Sequence, residues 1–176
     1  NNSSTFADRF KTMKKILLLS DTHNHLDDAV VKYAKQVDEV WHAGDIGSLA
    51  LLEKLENITT VRAVYGNIDG QELRARIPRV AVFECEGLSV MMTHIGGYPK
   101  HYEQSIYAQL LAEKPRLFIS GHSHILKVMN DPTLGLLHMN PGAMGTTGFH
   151  KKRTMLTFEI ENGTPRNLAV IELDRW

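Results

Sequence analysis

The 176-residue sequence has a single cysteine, Cys85, and so no disulfide of its own. In the alternating run VAVFECEG that thiol reads as a small packed hydrophobe, which suits a reducing compartment. Net charge is also missing, since 20 Lys and Arg balance 20 Asp and Glu; this gives no sign of the broad basic surface that phosphate-backbone binding uses. Long apolar runs are absent too. No window approaches the roughly 18 apolar residues of a membrane span. The opening MKKILLLSD has only Ile16 to Leu19 before Ser20 and Asp21, well short of the roughly 7 to 15 apolar residues of a secretory signal. These absences describe a soluble, cytoplasmic protein with no membrane partner and no clear nucleic-acid surface.

Repeats, linkers and low-complexity segments are lacking as well, so residues 13–176 read as one domain, and a 43% hydrophobic composition supplies a core for it. Residues 1–12 show neither helical nor strand period and read as a disordered or expression-derived leader. From Met13 the chain alternates. KKILLLS is a strand, and LDDAVVKYAKQV carries Leu26, Ala29, Val30, Tyr33, Ala34 and Val37 at helical spacing. DEVWH is a second strand, SLALLEKLENI a second helix capped by Ser48, and TVRAVYG a third strand. β-α-β-α-β predicts parallel strands joined by helical crossovers. Beyond them come a hairpin around Gly87, an amphipathic helix over YEQSIYAQLLAEK, a strand at RLFIS, and a mostly β tail with turns at DPTLG and ENG.

What stands at the strand ends is the chief positive signal. The apolar runs stop in turn at Asp21 and His23, at Asp45, at Asn67, at His94, and at His122 and His124. Gly precedes three of these sites, where a backbone must turn tightly. Singly, an Asp or Asn there is an ordinary turn or cap residue and a His an ordinary surface residue. Together they are seven oxygen and nitrogen donors without a thiolate, at the strand edge where open α/β sheets bind ligands. That set suits two adjacent divalent ions.

The ordered blocks SDTH, HAGD, GNID, TH and GHSH, followed by NPGA, resemble the calcineurin-like metallophosphoesterase superfamily, in particular its small bacterial and archaeal phosphodiesterase branch. The resemblance implies a four-layer α-β-β-α sandwich of two mixed β-sheets flanked by helices. It implies one metal on Asp21, His23, Asp45 and His124, a second on Asp45, Asn67, His94 and His122, and Asp45 as the bridge. The implied activity is hydrolysis of a small phosphate ester, a phosphodiester, by attack of a metal-bridging hydroxide, with Asp45 and Asn67 at the reacting group. Manganese is the favoured ion, with Fe, Zn, Co or Ni also open. Alternatives are a phosphomonoesterase, or a protein-interaction scaffold of the retromer-subunit type; oligomerisation is left open.

Two positions depart from the family pattern. Many relatives place a proton-donating His directly after the GN pair, where this chain has Ile68, and a Gly-His after the fourth block, where it reads THIGGYP. His25, in the first loop, is the nearest substitute donor, and His42 reads as packed or as a support to the site. The remaining His101, His138 and His150 carry no assignment. NPGAMGTTG reads as a loop packing near the site, and HKKR, from His150 to Arg153, as a solvated start to the next strand.

Overall fold

The computed structural model describes residues 13–176, so the expected leader over residues 1–12 lies outside the described residues. In chain order the elements are β1 (Met13–Leu19), α1 (Asp28–Ala34), β2 (Glu39–His42), α2 (Leu49–Glu56), β3 (Thr60–Ala63), α3 (Gln71–Arg76), β4 (Val80–Cys85) and β5 (Leu88–Thr93). They continue as β6 (Gly97–Tyr98), β7 (His101–Tyr102), α4 (Gln104–Glu113), β8 (Leu117–Ile119), β9 (Leu126–Asp131), β10 (Leu136–Pro141), β11 (Lys152–Glu161) and β12 (Thr164–Asp174). One five-stranded sheet runs β12-β11-β1-β2-β3, the other β4-β5-β8-β10-β9. β1, β2 and β3 are mutually parallel, as are β5, β8 and β10, and antiparallel strands flank each set.

Side-chain alternation explains why β1, β5 and β8 read as apolar runs, because these central strands are buried on both faces over most of their length. Ile16 and Leu18 of β1 point between the sheets, where they join Trp41, Val90, Met92, Ile119 and Phe158. Leu17 and Leu19 point the other way and pack with Val30 of α1 and Leu51, Leu52 and Leu55 of α2. On the far side Met91 and Phe118 meet Ile106 and Leu110 of α4. Helices, sheet, sheet and helix therefore form the expected four layers. Each fully buried Leu or Ile contributes about 1.5–3 kcal/mol over leaving it exposed.

Local chemistry sets the element ends. Ser48 Oγ accepts from Leu51 N at 3.2 Å at the start of α2, as its sequence position predicts, and Asp27 caps α1 by accepting from Val30 N at 3.3 Å. That cap shortens α1 relative to the span expected from Leu26 to Val37. The Asn162-Gly163 pair (φ 51° and 74°) turns β11 into β12, two successive positive φ values of the kind a tight hairpin needs. Three features differ from the sequence reading. A short helix, α3, stands where none is predicted. A two-residue hairpin, β6–β7, takes Tyr102 out of the helix expected to include it. Arg153, expected in a solvated run, is buried and donates to Asp27 Oδ2 at 2.6 Å and to the Met144 carbonyl at 3.2 Å.

Candidate metal centre

The carboxyl ends of β1, β2, β3, β5 and β8 deliver the seven sequence-predicted residues. After β1 and β2 the chain continues as two loops lying side by side: Asp21 N donates to Gly44 O at 2.9 Å, His23 N to Asp45 O at 3.0 Å and Asn24 N to Ile46 O at 2.8 Å. Five of the seven candidates hold left-handed backbone, namely Asp21 (φ 53°), His23 (45°), Asp45 (53°), His122 (69°) and His124 (61°). Non-glycine residues in that region store on the order of 1 kcal/mol or more each, and such strain clusters at functional sites. The glycines in HAGD and GNID are required by close approach. A Cβ on Gly44 would stand 2.6 Å from the Cβ of His94, and one on Gly66 would stand 2.0 Å from Asp45 Oδ1.

Two groups result. Asp21, His23 and His124 each present one donor atom to a common point, as do Asp45, His94 and His122. Asp21 spends Oδ2 on the Ser20 hydroxyl (2.6 Å) and the His122 amide (3.1 Å), which leaves Oδ1 facing His124 Nε2 at 3.1 Å and His94 Nε2 at 3.7 Å. Asp45 spends Oδ1 on the Ile68 amide at 3.1 Å. Its Oδ2 lies 3.4 Å from His23 Nε2 and 3.2 Å from His94 Nε2, between histidines of the two groups. Asp21 Oδ1, His23 Nε2 and His94 Nε2 are buried without a hydrogen-bond partner, a state that native structures seldom leave unexplained. Divalent cations would satisfy them: carboxylate and imidazole without thiolate is a donor set for Mn, Fe, Co, Ni or Zn.

The electrostatics fit the same reading. Burial alone would raise the Asp21 carboxyl, but the rings of His124 and His23, the charge on His94 and the Ser20 hydroxyl outweigh it and hold it well below the usual carboxylate range. Asp45 is likewise lowered, burial being overcome chiefly by His94. His94 is raised because Asp45 and Asp21 outweigh its burial, and His23 is raised chiefly by Asp21. Two ionised carboxylates thus sit together, favouring positive charge between them.

Ring tautomers are set by the surroundings. His94 Nδ1 sits 2.7 Å from the Ala43 carbonyl, which can only accept; Nδ1 therefore holds a hydrogen and Nε2 is the nitrogen turned toward the site. His124 is arranged through a second ring. His150 Nε2 donates to the Gly145 carbonyl at 2.8 Å, so neutral His150 accepts at Nδ1 from His124 Nδ1, 3.3 Å away, and His124 Nε2 is the nitrogen that faces Asp21 Oδ1. The loop under this contact passes so close that a Cβ on Gly148 would lie 2.3 Å from His124 Nδ1. Asp69 is another supporting residue. Its carboxylate accepts from the amides of Ile46 (3.1 Å), Gly47 (2.9 Å) and Gly66 (2.8 Å), tying the loop after β2 to the loop after β3. His42 is the packed support its position suggests: it is fully buried, its pKa is pushed down to about 4 by burial, and its Nε2 contacts Thr22 Oγ1 at 3.0 Å.

Sequence reasoning missed His150 and Asp69. The Asp two places after Asn67 in GNID was the available signal for Asp69; His150 offered none, since its role depends on a fold contact. Among the predicted residues Asn67 is exposed, its carbonyl accepts from Arg74 at 3.4 Å, and it lines a small cavity with His94. His25 faces Asp27 Oδ2 at 3.6 Å. NPGAMGTTG packs near the site as expected, with the Met144 and Gly145 amides donating to the carbonyls of Ser20 and Asp21.

Comparison with known proteins agrees. The profile of the calcineurin-like phosphoesterase superfamily domain matches residues 13–163. A probable metallophosphoesterase of Methanothermobacter thermautotrophicus is 31% identical over 133 residues, covering 72% of this chain and 74% of that protein. A phosphodiesterase of Methanocaldococcus jannaschii is 28% identical over 146 residues, covering 73% of this chain and 82% of its own. Among solved structures, Vps29 of Entamoeba histolytica complexed with Zn²⁺ superposes with a TM-score of 0.70 over 92% of this chain and 99% of that one, and at 14% identity it shows likeness of fold alone.

Proposed function

This chain belongs to the calcineurin-like phosphoesterase superfamily, and from that membership we propose that it hydrolyses phosphodiesters at a centre of two divalent cations. Asp21, His23 and His124 would hold one and Asp45, His94 and His122 the other, with Asn67 as a further ligand of the second and Asp45, whose Oδ2 lies near the Nε2 atoms of both His23 and His94, as the residue the two would share. The observation carrying the reading is the set of buried, unpartnered donor atoms, Asp21 Oδ1, His23 Nε2 and His94 Nε2, directed at two neighbouring points. When bound, two such ions lower the pKa of a water toward neutrality and neutralise charge on a phosphoryl group. Asp45 keeps its second oxygen fixed on the Ile68 amide. The exposed Asn67 amide stands at the solvent side, where it can meet a phosphoryl oxygen.

Diester preference is supported by the relative named as a phosphodiesterase; Ile68 offers no proton to a leaving group, so esters with good leaving groups are the better substrates. Manganese is the favoured ion, and the buried lone thiol of Cys85 fits a cytoplasmic location. Elemental analysis of manganese-loaded protein, with hydrolysis of bis(p-nitrophenyl) phosphate against p-nitrophenyl phosphate, tests the reading. About two ions per chain and faster diester turnover are expected. Faster monoester turnover overturns the diester assignment, and bound ions without turnover of either ester reassign the chain to a scaffold role.

A further inference from the structure

Three candidate ligands are each followed directly in the chain by an isoleucine left in solvent: Ile68 after Asn67, Ile95 after His94 and Ile125 after His124. Ile95 is 40% exposed and Ile125 62%, and Phe149, beside His150, is fully exposed. A scattered exposed aliphatic residue is ordinary. Two of these, Ile95 and Ile125, share one cavity beside the polar, strained centre, and apolar patches of this kind mark binding sites.

The patch has a shape. Ile95, Tyr98, Tyr102 and Ile125 line a cavity of about 340 Å³ that also includes His122, so the cavity opens onto the candidate metal centre. That volume lies at the low end of the roughly 300–1,000 Å³ of small-molecule sites, enough for one compact group and too small for a polymer. Several of its polar groups are engaged. Lys127 Nζ lies 3.5 Å over the Tyr98 ring, Glu103 caps α4, and Asn140 Nδ2 donates to Gly121 O and Ser123 Oγ. His138 is fully buried beneath the cavity, its Nδ1 on the Phe118 carbonyl and its Nε2 without a hydrogen-bond partner, one buried polar atom on an otherwise apolar floor. No guanidinium lines the walls, and the one carboxylate there, Glu103, is turned to the start of α4, where its Oε2 accepts from Ile106 N and Ser105 Oγ.

We propose that this cavity seats the organic substituent of the phosphate ester, and that the substituent is apolar: an aryl or branched alkyl group held against Ile95, Tyr98 and Ile125 while the phosphate reaches the metal centre beside His122. The inference rests on the reading of that centre as a phosphoesterase site. Ile95 and Ile125 are specificity-determining residues on this account. Burying each methylene of the substituent tightens binding by up to about fourfold.

Calorimetric titration of manganese-loaded protein with methyl, butyl and phenyl phosphonate tests this without requiring turnover. Each probe has a single organic group, so the result does not depend on which ester substituent leaves. Phenyl phosphonate is expected to bind roughly tenfold or more tighter than methyl phosphonate, with butyl between. The double variant Ile95→Ser/Ile125→Ser is expected to bring the phenyl-to-methyl ratio to within about twofold, with metal content unchanged by elemental analysis. Equal affinities in the unmodified protein overturn the proposal. So does a ratio that survives in the double variant, tighter binding of a nucleoside 5′-monophosphate than of phenyl phosphonate, or no phosphonate binding at all. Graded phosphonate binding with no hydrolysis of any ester sinks the hydrolase reading and leaves the apolar cavity standing.

Discussion

Two ends of β2 each place carboxylates in the protein interior, and they are treated in opposite ways. At the amino end Glu39, 2% exposed, accepts from Lys14 Nζ at 2.9 Å, Arg62 Nε at 2.8 Å and Trp41 Nε1 at 2.8 Å, so its charge is matched by the chain itself. Just past the carboxyl end Asp45, also 2% exposed, and its neighbour Asp21 form no salt bridge with Lys or Arg among the described residues; they face imidazoles whose Nε2 atoms lack hydrogen-bond partners. A buried charge is tolerated when it is paired. One end is electrostatically complete. The other is completed by a cation from outside.

Breaking the incomplete end should have the largest effect. Asp45→Ala removes the oxygen lying between the two histidine groups, so turnover is expected to fall by roughly 10³-fold or more and bound metal to drop well below that of the unmodified protein. In chelator the same variant should melt somewhat lower than the unmodified protein, because it removes the ionised partner of His94 and the acceptor of the Ile68 amide and leaves an alanine at φ 53°. Hydrolysis rate, elemental analysis and thermal unfolding in chelator check the three parts. Full turnover with unchanged metal content would contradict the shared-ligand assignment.

Metal removal is the next step down. A ligand held only by the folded state stabilises it by about 2.7 kcal/mol at a hundredfold excess over Kd. Manganese should therefore raise the melting temperature of the unmodified protein by several degrees, and that of Asp45→Ala by much less. An equal rise in both would show the ion binding elsewhere.

His150→Phe sharpens the comparison within the incomplete end, because His124 is the candidate ligand whose ring meets that of His150. Removing such a supporting partner typically weakens metal affinity by about 10–100-fold. The loss should fall on one of the two ions, and His150→Asn, whose amide oxygen can accept from His124 Nδ1, should recover part of it. Metal titration with a stepwise readout checks this; equal weakening of both steps would place His150 outside the first group.

The complete end and the incomplete end were also unequally legible in the sequence. Asp21, His23, Asp45, His94, His122 and His124 stand out because each ends an apolar run, and the parallel strands that carry them follow from the β-α-β rhythm of Met13 to Ala63. Glu39 did not stand out, since its partners Lys14 and Arg62 lie on neighbouring strands and are brought together only by sheet register. His150 was hidden for the same reason, 26 residues from the ring it supports. α3 escaped because in its six residues only Leu73 is buried, too little for a helical period to show, and β6 and β7 are two residues each. Arg153 looked solvated because charge runs usually are; its burial comes from Asp27 arriving across the fold.

The smallest effect belongs to the complete end. Burial would raise the Glu39 carboxyl, but Arg62, Trp41 and Lys14 outweigh it and bring its pKa down to about 2 from the ordinary 4.5. A depressed folded-state value means that the stabilisation is fully present above pH 4.5 and is lost as pH falls toward 2. Glu39→Gln should therefore cost about 1–2 kcal/mol at pH 7, less than breaking a wholly buried pair, because Lys14 and Arg62 are about one-third exposed and can turn to water. That gap should shrink between pH 4.5 and 2 as the unmodified carboxylate takes up its proton. Turnover at pH 7 should be unaffected, since the residue lies at the strand end away from the metal centre. Urea unfolding at pH 7 and near the acid limit, with hydrolysis assayed alongside, checks both halves. A gap of the same size at both pH values would mean that packing around Glu39, and not its charge, stabilises the amino end, and the contrast with Asp45 would then rest on shape alone.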